Sequence, residues 1–117
     1  MIVELQLPYP PSANKLWRRS GARIHKSSAY TDWLKAAGWE AMAQRPGGIK
    51  GPYALSILAK RPDKRRRDID NLIKPISDLL MTVGVIEDDS DCDLVSARWV
   101  TIGDGVRVLI TPAGVET

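Results

Sequence analysis

A single cysteine, Cys92, leaves no partner for an internal disulfide. The fold therefore does not depend on an oxidising compartment, and a cytoplasmic location is the default expectation. No run approaches the roughly 18 consecutive apolar residues that mark a membrane span. The start, Met1-Ile-Val-Glu-Leu-Gln-Leu-Pro8, lacks the basic opening and long apolar stretch of a signal peptide and reads as a first strand. Internal repeats, low-complexity tracts and interdomain linkers are missing, as are a glycine-rich phosphate loop and any zinc-ligand spacing. The only histidine, His25, fits a structural or phosphate-contacting role better than that of a general base. Cys92 lies among acids, surroundings that disfavour a thiolate nucleophile.

What is present is enough for one domain, residues 1–117, with 44% hydrophobic and 26% charged residues. The net charge of +3 is small, but the charges are sorted. Lys60-Arg-Pro-Asp-Lys-Arg-Arg-Arg67 holds six cations and one acid; Glu87-Asp-Asp-Ser-Asp-Cys-Asp93 holds five acids and no cation. Such blocks either neutralise each other across the fold, or form a basic surface that gathers a polyanion beside an acidic pocket that holds divalent metal.

The pattern of apolar residues predicts the elements. Ile2 to Leu7 alternates as a strand does, and Pro8-Tyr-Pro-Pro-Ser12 ends it. Asn14 to Lys26 is basic and expected to be irregular, with a short strand near Arg23 to His25. Ser27 or Ser28 caps a helix over residues 29–44, whose inner face carries Tyr30, Trp33, Leu34, Ala37 and Ala41; Arg45-Pro-Gly-Gly48 closes it. Residues 52–60 form a strand with Tyr53, Leu55, Ile57 and Ala59 on one face. A second helix is expected from Asp70 or Asn71 to about Val83, because Pro75 is tolerated only near a first turn. Its inner face carries Leu72, Ile76, Leu79 and Leu80, and Gly84 ends it. Strands 94–102 and 106–110, joined by Gly103-Asp-Gly105, read as a hairpin. The fold class is α/β (α+β): a mixed sheet with two main helices.

Asp68-Ile-Asp70 sets two carboxylates at i and i+2, on the same side of an extended segment, where the basic run meets a helix N-terminus that favours negative charge. Asp88 and Asp89 lie beyond the other end of the same helix, about 20 Å away for thirteen residues, so a return of the chain is needed to join them. Clustered carboxylates suit Mg²⁺ or Mn²⁺, and an ion so held can activate water at a phosphodiester. Lys74, one turn after Asp70, either stabilises a scissile phosphate or forms a helix pair with Asp70. Asp70 can equally be a helix cap; Asp68 has no such simple alternative.

Arg65-Arg-Arg-Asp-Ile-Asp-Asn71, Lys74 and Gly84-Val-Ile-Glu-Asp-Asp89 together resemble the RusA family of Holliday junction resolvases. The opening Pro8-Tyr-Pro-Pro-Ser-Ala-Asn14 with Trp17-Arg18 is similar to the same family, so the resemblance spans nearly the whole chain. Pro75, directly after the lysine, and the additional Asp91 and Asp93 depart from the shared pattern. The resemblance implies a homodimeric, Mg²⁺-dependent endonuclease, with Mn²⁺ as a possible substitute, that makes paired nicks across a four-way junction. It implies Asp68, Asp70, Lys74 and Asp89 as catalytic residues, and the same three aspartates, with Asp88 as a secondary candidate, as metal ligands. It also implies that the two acidic loops converge, and a bacterial or phage-encoded origin.

A two-fold junction suits a two-fold dimer. Lys60, Lys64, Arg65, Arg66 and Arg67 are the first candidates for contacting DNA phosphates, with Arg18, Arg19, Arg23 and Lys26 as a second patch. Trp33, Trp39 and Trp99 suit core or dimer packing, whereas Trp17, in the basic loop, could instead stack on an unpaired base. Other readings are a non-catalytic branched-DNA-binding protein of the same fold, a nuclease for forks or flaps, and a basic RNA-binding protein, which leaves the acidic block unexplained.

Overall fold

Alternation of apolar and polar residues builds the centre of the molecule. A computed structural model of the chain describes residues 1–12 and 15–113. Ala13 and Asn14, at the end of the N-terminal proline motif, and residues 114–117 lie outside the described residues. Strand β1 (Val3–Leu7) buries Val3, Leu5 and Leu7 and leaves Glu4 and Gln6 in solvent, the period of two that a one-sided strand requires. In β4 (Tyr53–Lys60) the buried residues are Tyr53, Leu55, Ile57 and Ala59, and in β6 (Val106–Pro112) they are Val106, Val108 and Ile110. With β5 (Cys92–Val100) these form a sheet of order β1-β6-β4-β5. β6 is antiparallel to both β1 and β4, and β5 is parallel to β4. The sheet is mixed, as expected.

The predicted hairpin between the last two strands does not form. β4 lies between β5 and β6, and the connection crosses its end, where the Lys60 N–H donates to the Gly105 carbonyl at 3.0 Å. β4 buries a full row of side chains and so belongs in the sheet interior. The helical crossover after it delivers β5 parallel to it, at the edge. Gly105 is required for a different reason from a tight turn. Its φ is +64°, and a Cβ there would collide with the Leu7 carbonyl oxygen at the end of β1.

A second departure lies between residues 15 and 26. Instead of one short strand, β2 (Trp17–Ser20) and β3 (Arg23–Lys26) form an antiparallel ribbon turned at Gly21, where φ is +62°. All eight residues are exposed, so no alternation of burial marked the strands in the sequence. Cross-strand partners share a face. One face therefore carries Arg18, Arg23 and His25, and the other Trp17, Arg19 and Lys26.

Helix α1 (Ser28–Ala43) is capped by Ser27, whose Oγ accepts the Tyr30 N–H at 3.0 Å. Tyr30, Trp33, Ala37 and Ala41 are buried, as the spacing predicts. Helix α2 (Ile73–Thr82) begins later than expected, and residues Ile69–Leu72 form a 3₁₀ turn instead. Pro75 is the reason. In an α-helix begun at Asp70 its ring would meet the Asn71 carbonyl, whereas as the third helical residue its missing N–H is no loss. Leu72, Ile76, Leu79 and Leu80 join the core, each contributing about 1.5–3 kcal/mol by burial. Gly84, with φ +80°, follows the C-cap and turns the chain back. Among the described residues, no helix is long and apolar enough to cross a membrane.

Candidate active site

The return of the chain that the sequence left open is built from backbone hydrogen bonds. After Gly84 the segment folds back beside α2. The Val85 N–H donates to the Leu80 carbonyl at 2.9 Å, and the Ile49 N–H to the Val85 carbonyl at 2.8 Å. Ile49 and Ile86 form a parallel bridge that fastens this return to the loop before β4. The chain then reaches a second 3₁₀ turn, Asp89–Asp91, packed against α2, while the first turn packs against β5. Both acidic segments thus meet near the start of β5.

Their meeting place is a hollow of about 420 Å³ lined by Asp70, Lys74, Asp89, Cys92 and Asp93, with Leu94 and Val95 along one wall. The Lys74 ammonium lies 3.9 Å from Asp89 Oδ2 and 3.0 Å from Asp78 Oδ1. The hydrogen bond to Asp78, and the charges of Asp78 and Asp89, raise the Lys74 pKa above its ordinary value and keep the amine protonated. Asp70 takes neither of the simple roles open to it at this helix end, although Lys74 does form an i,i+4 helix pair, with Asp78. Lys74 forms its ion pairs with Asp78 and Asp89 rather than Asp70, and α2 is N-capped by Leu72 with no side-chain hydrogen bond.

Asp68 and Asp70 do not project to one side as an extended segment would require. Only Asp68 is extended (φ −88°, ψ 125°), and the 3₁₀ turn that follows rotates Asp70 away. Asp68 lines a neighbouring hollow of about 440 Å³ with Tyr9, Pro11, Ser12, Arg65, Arg66, Arg67 and Asn71. Its side chain makes no capping hydrogen bond, so its carboxylate is not consumed by the turn. Asp88, by contrast, accepts the Ser90 N–H at 3.2 Å and caps the second turn, a bond that holds its pKa below the usual carboxylate value. Among the described residues, no three His, Cys, Asp or Glu side chains stand together as a ready-made metal cage.

The basic residues divide by what they touch. Arg67 is 19% exposed; its guanidinium pairs with Asp63 at 2.8 Å and lies 5.5 Å from the Tyr9 ring centre. That pairing raises the Arg67 pKa and lowers that of Asp63. Arg65 approaches the same carboxylate at 3.6 Å but is largely in solvent, and Lys64 and Arg66 are exposed. Lys60 is half-buried at the end of β4. Trp17 packs edge-on to Tyr30 at 5.9 Å and is 41% exposed, so part of its ring is already used internally. Lys26 sits 5.9 Å over that ring.

Sequence reasoning missed Asp78, and placed Tyr30 only in the core without its bond to Asp78. Asp78 is 9% exposed, and its Oδ2 accepts a hydrogen bond from the buried Tyr30 hydroxyl. Burial first, then this bond, pushes the Tyr30 phenol far above its ordinary value. The clue was available: an aspartate four residues after Lys74, set among Ile76, Leu79 and Leu80 on a helix face that otherwise packs inward.

The sequence model of the endodeoxyribonuclease RusA family matches residues 8–111. A crossover junction endodeoxyribonuclease of Enterobacteria phage HK97 is 37% identical over 89 residues, covering 74% of this chain and 73% of its own length. The crossover junction endodeoxyribonuclease RusA of Escherichia coli K12 is 36% identical over 119 aligned positions, covering 96% of each chain. That of Aquifex aeolicus is 35% identical over 86 residues, 73% of this chain and 68% of its own. With the family model covering β4, β5, both helices and every acidic residue of the two hollows, the chain belongs to the RusA family of endodeoxyribonucleases.

Proposed function

We propose that residues 1–117 act as one structure-selective DNA endonuclease domain that resolves four-way (Holliday) junctions by paired, divalent-metal-dependent phosphodiester hydrolysis. The observation that carries this reading is the Lys74 ammonium held between Asp78 and Asp89 in a hollow that Asp70 also lines. The donor chemistry fits a hard ion. Asp70, Asp89 and Asp93 supply only carboxylate oxygens against one ammonium, an excess of negative charge that Mg²⁺, or Mn²⁺ in its place, would relieve. Asp70 and Asp89 would hold the ion, with Asp68 as a further candidate ligand and Asp88 as a secondary one. Such an ion lowers the pKa of bound water and neutralises charge on the phosphodiester.

The chain's own groups do the rest. Lys74 offers a fixed positive charge to the phosphate oxygen that gains charge during attack. Lys60, Lys64, Arg65 and Arg66 grip the flanking backbone beside Arg67, which Asp63 holds in place. The ribbon extends that grip through Arg18 and Arg23 on one face or Arg19 and Lys26 on the other, without reading bases. A homodimer with two-fold symmetry would face one site to each of two opposed strands of the junction.

The test uses a labelled synthetic four-way junction and a matched linear duplex, with Mg²⁺ or with EDTA. Paired nicks confined to the junction and dependent on Mg²⁺ are expected, and Asp70→Asn should retain junction binding while losing cleavage by at least about a hundredfold. Junction binding without cleavage in Mg²⁺ or Mn²⁺ would convert the proposal to a non-catalytic branched-DNA-binding protein. Equal cleavage of forks or flaps would widen the substrate.

A further inference from the structure

Among the described residues, Asp78 is the only acid that is buried. A buried carboxylate is costly unless it is paired and hydrogen-bonded, and both of its oxygens are engaged. Oδ1 meets the Lys74 ammonium at 3.0 Å, and Oδ2 accepts from the Tyr30 hydroxyl. Tyr30 cannot yield, because it is fully buried in α1, stacked on Trp33 at 6.4 Å and met edge-on by Trp17 at 5.9 Å. The carboxylate is therefore fixed from behind. Lys74 is the opposite case: its side chain is 55% exposed, on a flexible four-carbon stem that would otherwise sample solvent.

The two distances show which acid holds the amine. Asp78 lies at 3.0 Å and Asp89 at 3.9 Å, so Asp78 is the closer partner. Were Asp78 absent, the nearest carboxylate for the ammonium would be Asp89, whose oxygens the proposed mechanism needs for the metal ion. We infer that Asp78, braced by Tyr30, is a positioning residue that holds the Lys74 ammonium above the Asp70–Asp89 hollow and keeps it from closing onto Asp89. This inference rests on the nuclease reading for its purpose, but the clamp itself is a property of the free protein.

Two measurements on the full chain test it. The first is single-turnover cleavage of a four-way junction in Mg²⁺ by wild type, Asp78→Asn, Tyr30→Phe, Lys74→Ala and the double variant Lys74→Ala with Asp78→Asn. Asp78→Asn should slow cleavage by about tenfold or more, with junction affinity in EDTA within about twofold of wild type. Tyr30→Phe should show a smaller loss in the same direction. In the Lys74→Ala background, Asp78→Asn should change the rate by less than about twofold, because a residue acting through Lys74 has nothing left to act on. An equal loss in both backgrounds would overturn the inference and leave Asp78 a structural residue.

The second measurement needs no cleavage: the Lys74 ammonium resonance in ¹⁵N-labelled protein. A clamped amine gives a slowly exchanging signal, which Asp78→Asn should abolish and Tyr30→Phe should broaden. An unchanged signal in these variants overturns the clamp even if the enzyme cleaves. A lost signal in a protein that cleaves nothing upholds the clamp and refutes the nuclease reading instead. If Asp78→Asn does not fold, Tyr30→Phe, which removes one buried hydroxyl, carries both measurements.

Discussion

Two glycines with nearly the same backbone angle separate conformational cost from collision. Gly21 (φ +62°) has open space where a Cβ would stand, whereas at Gly105 (φ +64°) that space is filled by the Leu7 carbonyl oxygen. Gly21→Ala should cost about 1–2 kcal/mol, the ordinary penalty of a left-handed alanine. Gly105→Ala should cost clearly more, because β1 must shift to admit the methyl. Urea unfolding of the two variants checks this, and equal midpoints would mean that the β1 end yields freely. At this scale the sequence was informative about identity and weaker about partners. Asp68, Asp70, Lys74 and Asp89 stood out as carboxylates and a cation in one ordered pattern. Their grouping depended on a 3₁₀ turn that no periodicity announces, so Asp68 and Asp70 part to different hollows. Asp78 was hidden by its neighbours, since a helix face rich in isoleucine and leucine reads as core.

Among elements, those that bury one face were legible, as was β5, which buries no residue fully but carries an apolar run; the ribbon, exposed at every residue, was not. β1, β4, β6 and α1 follow their apolar period because burial itself is the signal. The β2–β3 ribbon exposes all eight residues and carries no such signal. Strand order escaped for another reason: Gly103 and Gly105 give turn chemistry, but which strand lies beside β6 is decided by the burial of β4. The same contrast predicts dynamics. Amides of β4 are paired on both sides within the sheet, whereas the ribbon is joined to the body chiefly through the Ser27–Leu16 backbone bond at 2.9 Å and the Trp17–Tyr30 contact. Hydrogen exchange should be slowest in β4 and at least about a hundredfold faster in β2 and β3, as local opening without core exposure allows. Matching protection in the ribbon and β4 would show that the ribbon unfolds only with the whole domain.

For the whole molecule, function follows from charge placed in separate regions rather than from the net charge of +3. The two readings of the opposed charge blocks can now be weighed. Among the described residues Lys74 is the one cation lining the acidic hollow, Arg67 is paired locally with Asp63, and Lys64, Arg65 and Arg66 face solvent. Mutual neutralisation would have joined the Lys60–Arg67 cations to the Glu87–Asp93 acids, and no ion pair among the described residues does so. On the proposed function, the basic loop would meet a polyanion. Each phosphate it neutralises should add about 0.9 to the slope of log affinity against log salt on duplex arms. Replacing Lys64, Arg65 and Arg66 together by alanine should therefore reduce that slope by up to roughly 2.7 per engaged protomer, weakening junction and duplex alike. Arg67→Ala should act differently, since it frees Asp63 and removes the cover on Tyr9, disturbing the hollow that Asp68 lines. Fluorescence anisotropy across a salt series, with junction and duplex in parallel, reads both effects. A triple variant with an unchanged slope would mean that this loop faces away from the DNA, and the ribbon's Arg18 and Arg23 would then be the backbone contact to remove.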